Sequence, residues 1–362
     1  MLPLVKPFLP PKEVLMPQLE QILYSGYIAE GEAVYEFERN FANFVSNPHT
    51  VSLNSGTAAL HIALLLAGVG SGDEVISTVL TAEPTNVAIK LVGAKVIWAD
   101  VDINTGLLDP VSVRSKITAK TKAIMIVHYA GMVADLDEFK KLSEEFNIPV
   151  IEDAAHALGS KYNGQVVGSI SPYTIFSFQA IKHLTTIDGG MLTLKTEEQQ
   201  HNAKLLRWFG LDKMKPRLEN DIKFPGYKYH MNNVNATVGL VQLKYIQDVI
   251  DKHIANGLYF DKELANTAGV ELLHYYPKSE ASYWLYTLKV ENRDAFIKML
   301  AANGISASEL HLRNDRHSIF AESKTDLPAF EQFYKKMVHI PCGWWVSKED
   351  REKITDLIKK GW

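Results

Sequence analysis

Apolar residues fall in short runs along the middle of the chain, separated by longer amphipathic segments. The runs are TVSLN (50–54), EVISTV (74–79), KVIWAD (95–100), KAIMIVHY (122–129), IPVIED (148–153), TIFSFQ (174–179) and GMLTLK (190–195). Each has the length of a strand, and most are continuously apolar rather than alternating. Such runs suit a sheet covered on both faces. Segments 56–68, 82–92 and 135–147 have helix length and lie between the runs. This alternation predicts an α/β fold on a doubly wound, mostly parallel sheet of seven strands.

After residue 235 the pattern changes. Residues 235–266 read as one long helix. Strands around 283–290 and 336–340 and helices around 292–303 and 348–360 predict a smaller α+β region. The expected division is a large domain, 1–245, which includes the N-terminal segment, and a small C-terminal domain, 246–362.

In doubly wound sheets ligands bind at the carboxyl ends of the strands. Asn54 to Thr57, His128-Tyr129, Glu152-Asp153 and Ser177 all fall at predicted strand ends. Any one of them serves equally well as a cap or turn residue. Together they mark that edge of the sheet as the place to look for a site.

Composition narrows the partners. The 362 residues are 46% hydrophobic, and 38 basic residues nearly balance 42 acidic ones for a net charge of −4. That leaves no electrostatic footprint for nucleic acid and no polybasic membrane patch. One cysteine, Cys342, cannot form an intrachain disulfide, which points to a reducing, cytoplasmic compartment. No Cys/His spacing suggests a metal. The first residues, with four prolines in MLPLVKPFLPPKEV, do not form a signal peptide, and LHIALLLAGVG (60–70) is too short to span a bilayer.

Three stretches could carry chemistry. In LNSGTAAL (53–60) a strand runs through Ser-Gly-Thr into a helix. Free amides at a helix N-terminus favour an anion such as phosphate. Gly56 allows close approach and Thr57 adds a hydroxyl, although a plain N-cap has the same sequence. In VIEDAAHALGS (150–160), Asp153 ends an apolar strand and must find a partner if buried. It could face a cationic ring nitrogen or cap the next helix. His156 could lie over the same ligand or serve as a satisfied core histidine. In SFQAIKHLTTIDGG (177–190), Lys182 sits in an almost uncharged stretch, five residues after Ser177. It reads as a solvated loop residue or as a nucleophile that forms a Schiff base, with Ser177 holding a phosphate.

The order SGT, EDAAHA, Ser-x4-Lys, T-x-x-GG resembles the DegT/StrS-type family of fold type I aminotransferases dependent on pyridoxal 5′-phosphate (PLP). LEQILYSGYIAEGEAVYEFERNFANFV (19–45) and GYKYHMNNVNATVGLVQL (226–243) extend the resemblance over nearly the whole chain. It implies that Lys182 binds the cofactor and shuttles the proton. Asp153 pairs with the pyridinium nitrogen. Gly56, Thr57 and Ser177 hold the phosphate, and His156 lies near the ring. It further implies a homodimer in which residues 226–233 reach the partner's cofactor. Many members carry Asn and Arg where this chain has Lys228 and His230. Lys228 could still grip phosphate as a cation. Many also place a ring-stacking aromatic where this chain has Ala82 and Glu83, so His156 or Tyr129 is the expected contact.

The reaction expected from the resemblance moves an amino group from glutamate to a keto sugar, a nucleotide-linked 4- or 3-keto-6-deoxyhexose. Surface-polysaccharide or deoxyaminosugar biosynthesis is the expected setting. A small phosphorylated ketone is the alternative acceptor, and a non-catalytic PLP- or sugar-binding regulator the alternative function. Some relatives replace the lysine with histidine and dehydrate instead. Here His183 stands one position late and should face elsewhere, since adjacent residues diverge. HLRNDRHSIF (311–320) is either a solvated basic loop or a substrate-recognition loop. On the second reading His311, Arg313 and Arg316 act as charged donors to an anionic group.

Overall fold

The computed structural model describes residues 1–362. All seven expected strands form, and they lie in one sheet. Their order is Thr50–Leu53, Gly190–Leu194, Tyr173–Ser177, Val150–Asp153, Thr121–Val127, Glu74–Ser77 and Lys95–Trp98. Gly190–Leu194 runs antiparallel to both neighbours, whereas the pairings from Tyr173–Ser177 to Lys95–Trp98 are parallel. The continuous apolar runs have a direct cause. Ala123, Met125 and Val127 enter one core cluster, and the intervening Ile124 and Ile126 enter another on the opposite face.

Helices Gly56–Leu66, Glu83–Leu91 and Leu136–Phe146 occupy the expected segments. The single long helix expected over 235–266 is instead two, Asn233–Leu243 and Ile246–Glu263. No glycine or proline marks the break at Lys244-Tyr245; packing decides it. The first helix lies against Glu32–Val45, where Gly239 gives Phe37 its room: a Cβ there would meet the ring at 2.6 Å. The second packs against the C-terminal helix Lys348–Lys360.

A three-stranded antiparallel sheet follows, Val270–Leu272, Tyr286–Val290 and Met337–Ile340 in that order. Helices Arg293–Ala302 and Lys348–Lys360 match expectation, and Pro328–Lys336 adds one that was not foreseen. Val290, Phe296, Phe333 and Ile358 belong to the same apolar cluster as Val51 and Val127 of the large sheet. The C-terminal region is therefore packed onto the large sheet, close to its carboxyl edge. The N-terminal residues lie on it too, with Leu2 bridging to Ile305.

Candidate active site

A cavity of about 290 Å³ opens at the carboxyl edge of the large sheet. Gly56, Thr57, Asp153, His156, Ser177, Lys182 and His311 all line it. Three separate stretches of sequence thus converge with one residue from the C-terminal region.

The helix Gly56–Leu66 begins at the cavity. Ser55 caps it by accepting the Ala58 N–H at 3.1 Å, and the Ala59 N–H goes to the Ser55 carbonyl. The amides of Gly56 and Thr57 have no protein partner. They are the free donors an anion needs. A Cβ on Gly56 would sit 3.0 Å from the Ser177 Cβ, so only glycine lets the helix start and Ser177 come this close. Gly190 has the same purpose: a Cβ there would lie 2.4 Å from the Ser55 carbonyl oxygen. The strand after Lys182 passes directly beneath the helix start.

Glu152 and Asp153 point to opposite faces, as adjacent strand residues must. Glu152 is fully buried with His128, whose Nδ1 accepts the Ala134 N–H at 3.2 Å. The His128 proton is therefore on Nε2, which donates to Glu152 Oε2 at 2.6 Å. Asp153 faces the cavity. Its Oδ2 accepts from Thr85 Oγ1 at 2.7 Å and its Oδ1 from the Ala155 N–H at 3.0 Å. Burial raises its pKa, while those two hydrogen bonds and the charge of Lys182 oppose the rise. A cation placed in the cavity would stabilise the carboxylate further. Burial also lowers Lys182 to about 8, with Asp153 pulling the other way. His156 is pushed well below the usual imidazole range by burial, so it is neutral.

Two contributors were not read from the sequence. Thr85, in the first turn of Glu83–Leu91, fixes Asp153 and is itself bonded to Thr81 at 2.8 Å. Its only signal was its place after a predicted strand end. Trp284 comes from just before Tyr286–Val290. The Lys182 Nζ lies 4.3 Å from its ring centroid, and His156 stacks on it at 3.8 Å and 15°. No local motif could have announced that meeting.

Of the other expected residues, only His311 lies on the cavity wall. Tyr129 is buried behind the cavity and its hydroxyl is saturated: it donates to the Leu310 carbonyl and bonds His339 Nε2 and the His311 N–H, both at 2.9 Å. It holds the loop that carries His311 and does not line the cavity. His311 lines the cavity, but burial pushes it down to about 3, so it is a neutral group and not a charged donor. Arg313 is clamped by Asp315 and Glu331, each at 2.6 Å, and Arg316 is exposed; neither reaches the cavity. Lys228 is exposed and outside it as well. Glu83, at the start of its helix, lies 3.7 Å from His317 and favours the helix dipole. His183 faces away, bonded through Nε2 to the Ser282 carbonyl at 3.1 Å.

A larger cavity, about 680 Å³, lies against helices Glu32–Val45 and Glu197–Arg207. Its buried charges are already matched: Arg207 pairs with Glu38 and Glu30, and Glu30 also pairs with the exposed Lys213. It offers no comparable set of reactive groups.

The residues around the smaller cavity fit PLP: two free amides for the phosphate, a buried carboxylate for the ring nitrogen and a lysine with lowered pKa. Residues 12–359 match the DegT/DnrJ/EryC1/StrS aminotransferase family. The sugar aminotransferase CalS13 from Micromonospora echinospora superposes with a TM-score of 0.96, at 35% identity over 100% of both chains. Spr1654 from Streptococcus pneumoniae, solved in its PLP form, gives 0.90 at 30% identity, over 99% of this chain and 98% of that one. The spore coat polysaccharide biosynthesis protein SpsC of Bacillus subtilis (strain 168) is 30% identical over 94% of this chain and 92% of its own. The chain belongs to the DegT/DnrJ/EryC1/StrS aminotransferase family and is a PLP-dependent aminotransferase.

Proposed function

We propose that the protein transfers an amino group from glutamate to the carbonyl of a nucleotide-linked 4- or 3-keto-6-deoxyhexose. The observation that carries this reading is the convergence of Lys182, Asp153 and the free amides of Gly56 and Thr57 on one cavity. Bound there, PLP supplies the electron sink that lets the substrate's carbon–hydrogen bond ionise. Lys182 is the covalent anchor in this reading and the base that carries the proton. With a pKa of about 8, about a tenth of it is free amine at pH 7, so it can accept and return a proton under ordinary conditions. Asp153, fixed by Thr85 and Ala155, keeps the ring nitrogen protonated. Ser177 adds a hydroxyl beside the two amides, and neutral His156 covers the ring without competing for its charge.

A sugar acceptor is supported by the relatives' descriptions and by the lining. Lys182 is the one lysine or arginine on the cavity wall; His311, neutral, and Gln179 offer hydrogen bonds suited to hydroxyls. A small phosphorylated ketone would ask for a further cation there. A single-chain cavity of about 290 Å³ is at the lower limit for a ligand site of about 300 Å³ or more, so the nucleotide needs further room. A homodimer supplies it in this reading, with Lys228 of one subunit near the partner's cofactor. Exposed Tyr24, Tyr27, Met214 and Leu218 support such a contact, being 80% or more accessible.

The acceptor is tested by loading the holoenzyme with glutamate, removing the excess, and adding single keto compounds. Nucleotide-linked keto sugars should restore the original cofactor spectrum and yield an amino sugar. Restoration only by small phosphorylated ketones would overturn the acceptor assignment.

A further inference from the structure

Lys182 makes no ion pair and no side-chain hydrogen bond. What faces its ammonium is the Trp284 indole, 4.3 Å from Nζ to ring centroid. Trp284 is 2% exposed, and its Nε1–H donates to the carbonyl of Ile181, the residue before the lysine, at 2.9 Å. The same indole carries the stacked His156 ring. One buried side chain from the C-terminal region thus touches the backbone of the lysine loop, its charge and its neighbour over the cavity.

Transamination sets the lysine free partway through each turnover. Its amine must then wait at a fixed place, take up the substrate's proton and deliver it. A four-carbon stem with a buried ammonium and no carboxylate within ion-pairing distance would otherwise wander or lose its charge. We propose that Trp284 is a positioning residue for Lys182: once the freed amine has taken up that proton, the indole face holds the resulting ammonium by a cation–π contact, so that it stays aimed into the cavity until the proton is delivered. This rests on Lys182 being the cofactor-linked lysine.

The contact favours the charged form of Lys182, as does the nearby carboxylate of Asp153. Burial opposes both, and His156, His311 and His183 add a small unfavourable field only if protonated. Asp188, also on the cavity wall, is the remaining charged group.

The test titrates Lys182 in the full-length apoprotein, by the pH dependence of its acetylation with acetic anhydride, read by mass spectrometry. Trp284→Phe keeps a ring face and should titrate within about half a unit of wild type. Trp284→Leu removes the face and should titrate about one unit lower, a tenfold shift. A Trp284→Leu protein that titrates as wild type overturns the proposal. A second measurement needs no destabilising change. In 5-fluorotryptophan protein, the Trp284 ¹⁹F resonance, assigned by its loss in Trp284→Phe, should shift with the lysine's own midpoint and stay flat in Lys182→Ala. A resonance that is flat in wild type also overturns it. If the cofactor proves to be linked to another lysine, the assignment of Lys182 fails, while the titration still reports whether the indole holds the ammonium.

Discussion

The place of Lys182 on the cavity wall is legible in the sequence because its signal is local: an almost uncharged stretch, a serine five residues before it and a Gly-Gly pair after it. His183 was legible for the same reason, since one step along the chain reverses the side chain. The basic cluster at 311–316 left two readings open in the sequence, a solvated loop and a set of charged donors. Counting charges could not show that Asp315 and Glu331 pair with Arg313, or that burial keeps His311 neutral. Trp284 was not legible at all, because its partner lies about a hundred residues away and a buried tryptophan looks like core. Asp153 carries the residue-level prediction. Asn in its place keeps the hydrogen-bonding shape but loses the charge. The Asp153→Asn enzyme should still bind PLP, with the half-reaction with the proposed donor, glutamate, slowed about a hundredfold or more in stopped-flow absorbance. An unchanged rate would remove the carboxylate from the mechanism.

Elements were legible where periodicity and burial agree. The seven strands read correctly because each is buried on both faces and therefore continuously apolar. The segment 235–266 read as one helix because nothing in its composition breaks it; the break comes from packing on two different partners. The short strand Val270–Leu272 has too little pattern to announce itself. Segment 226–233 is the element whose role a single chain does not reveal. It pairs through Lys228 to Trp208, and Lys228 is exposed, outside its own chain's cavity. If it serves the partner's site, mixing inactive Lys182→Ala and Lys228→Ala subunits should restore activity. Random assortment leaves half the dimers mixed, each with one intact site, so recovery should approach a quarter of wild type. Mixtures as inactive as their components would argue against a shared site.

At the scale of the whole molecule, the fold packs a C-terminal region with its own smaller sheet against the large one, and a loop of that region brings His311 to the cavity wall. The large-sheet side provides the free amides of Gly56 and Thr57, Asp153 and Lys182, and the C-terminal region provides His311 on the wall and Trp284 beside the lysine. A continuous apolar cluster joins the two parts, so their relative placement fixes the distance from lysine to indole. The near balance of charge leaves no electrostatic footprint for nucleic acid, and no helix is long and apolar enough to cross a membrane. The most direct test of the whole account is to reduce the PLP-loaded enzyme with sodium borohydride, digest it and map the modified peptide. The account predicts the cofactor on Lys182 alone, and no labelled peptide from Lys182→Ala. Cofactor fixed to a different lysine, with Lys182 unmodified, would contradict it.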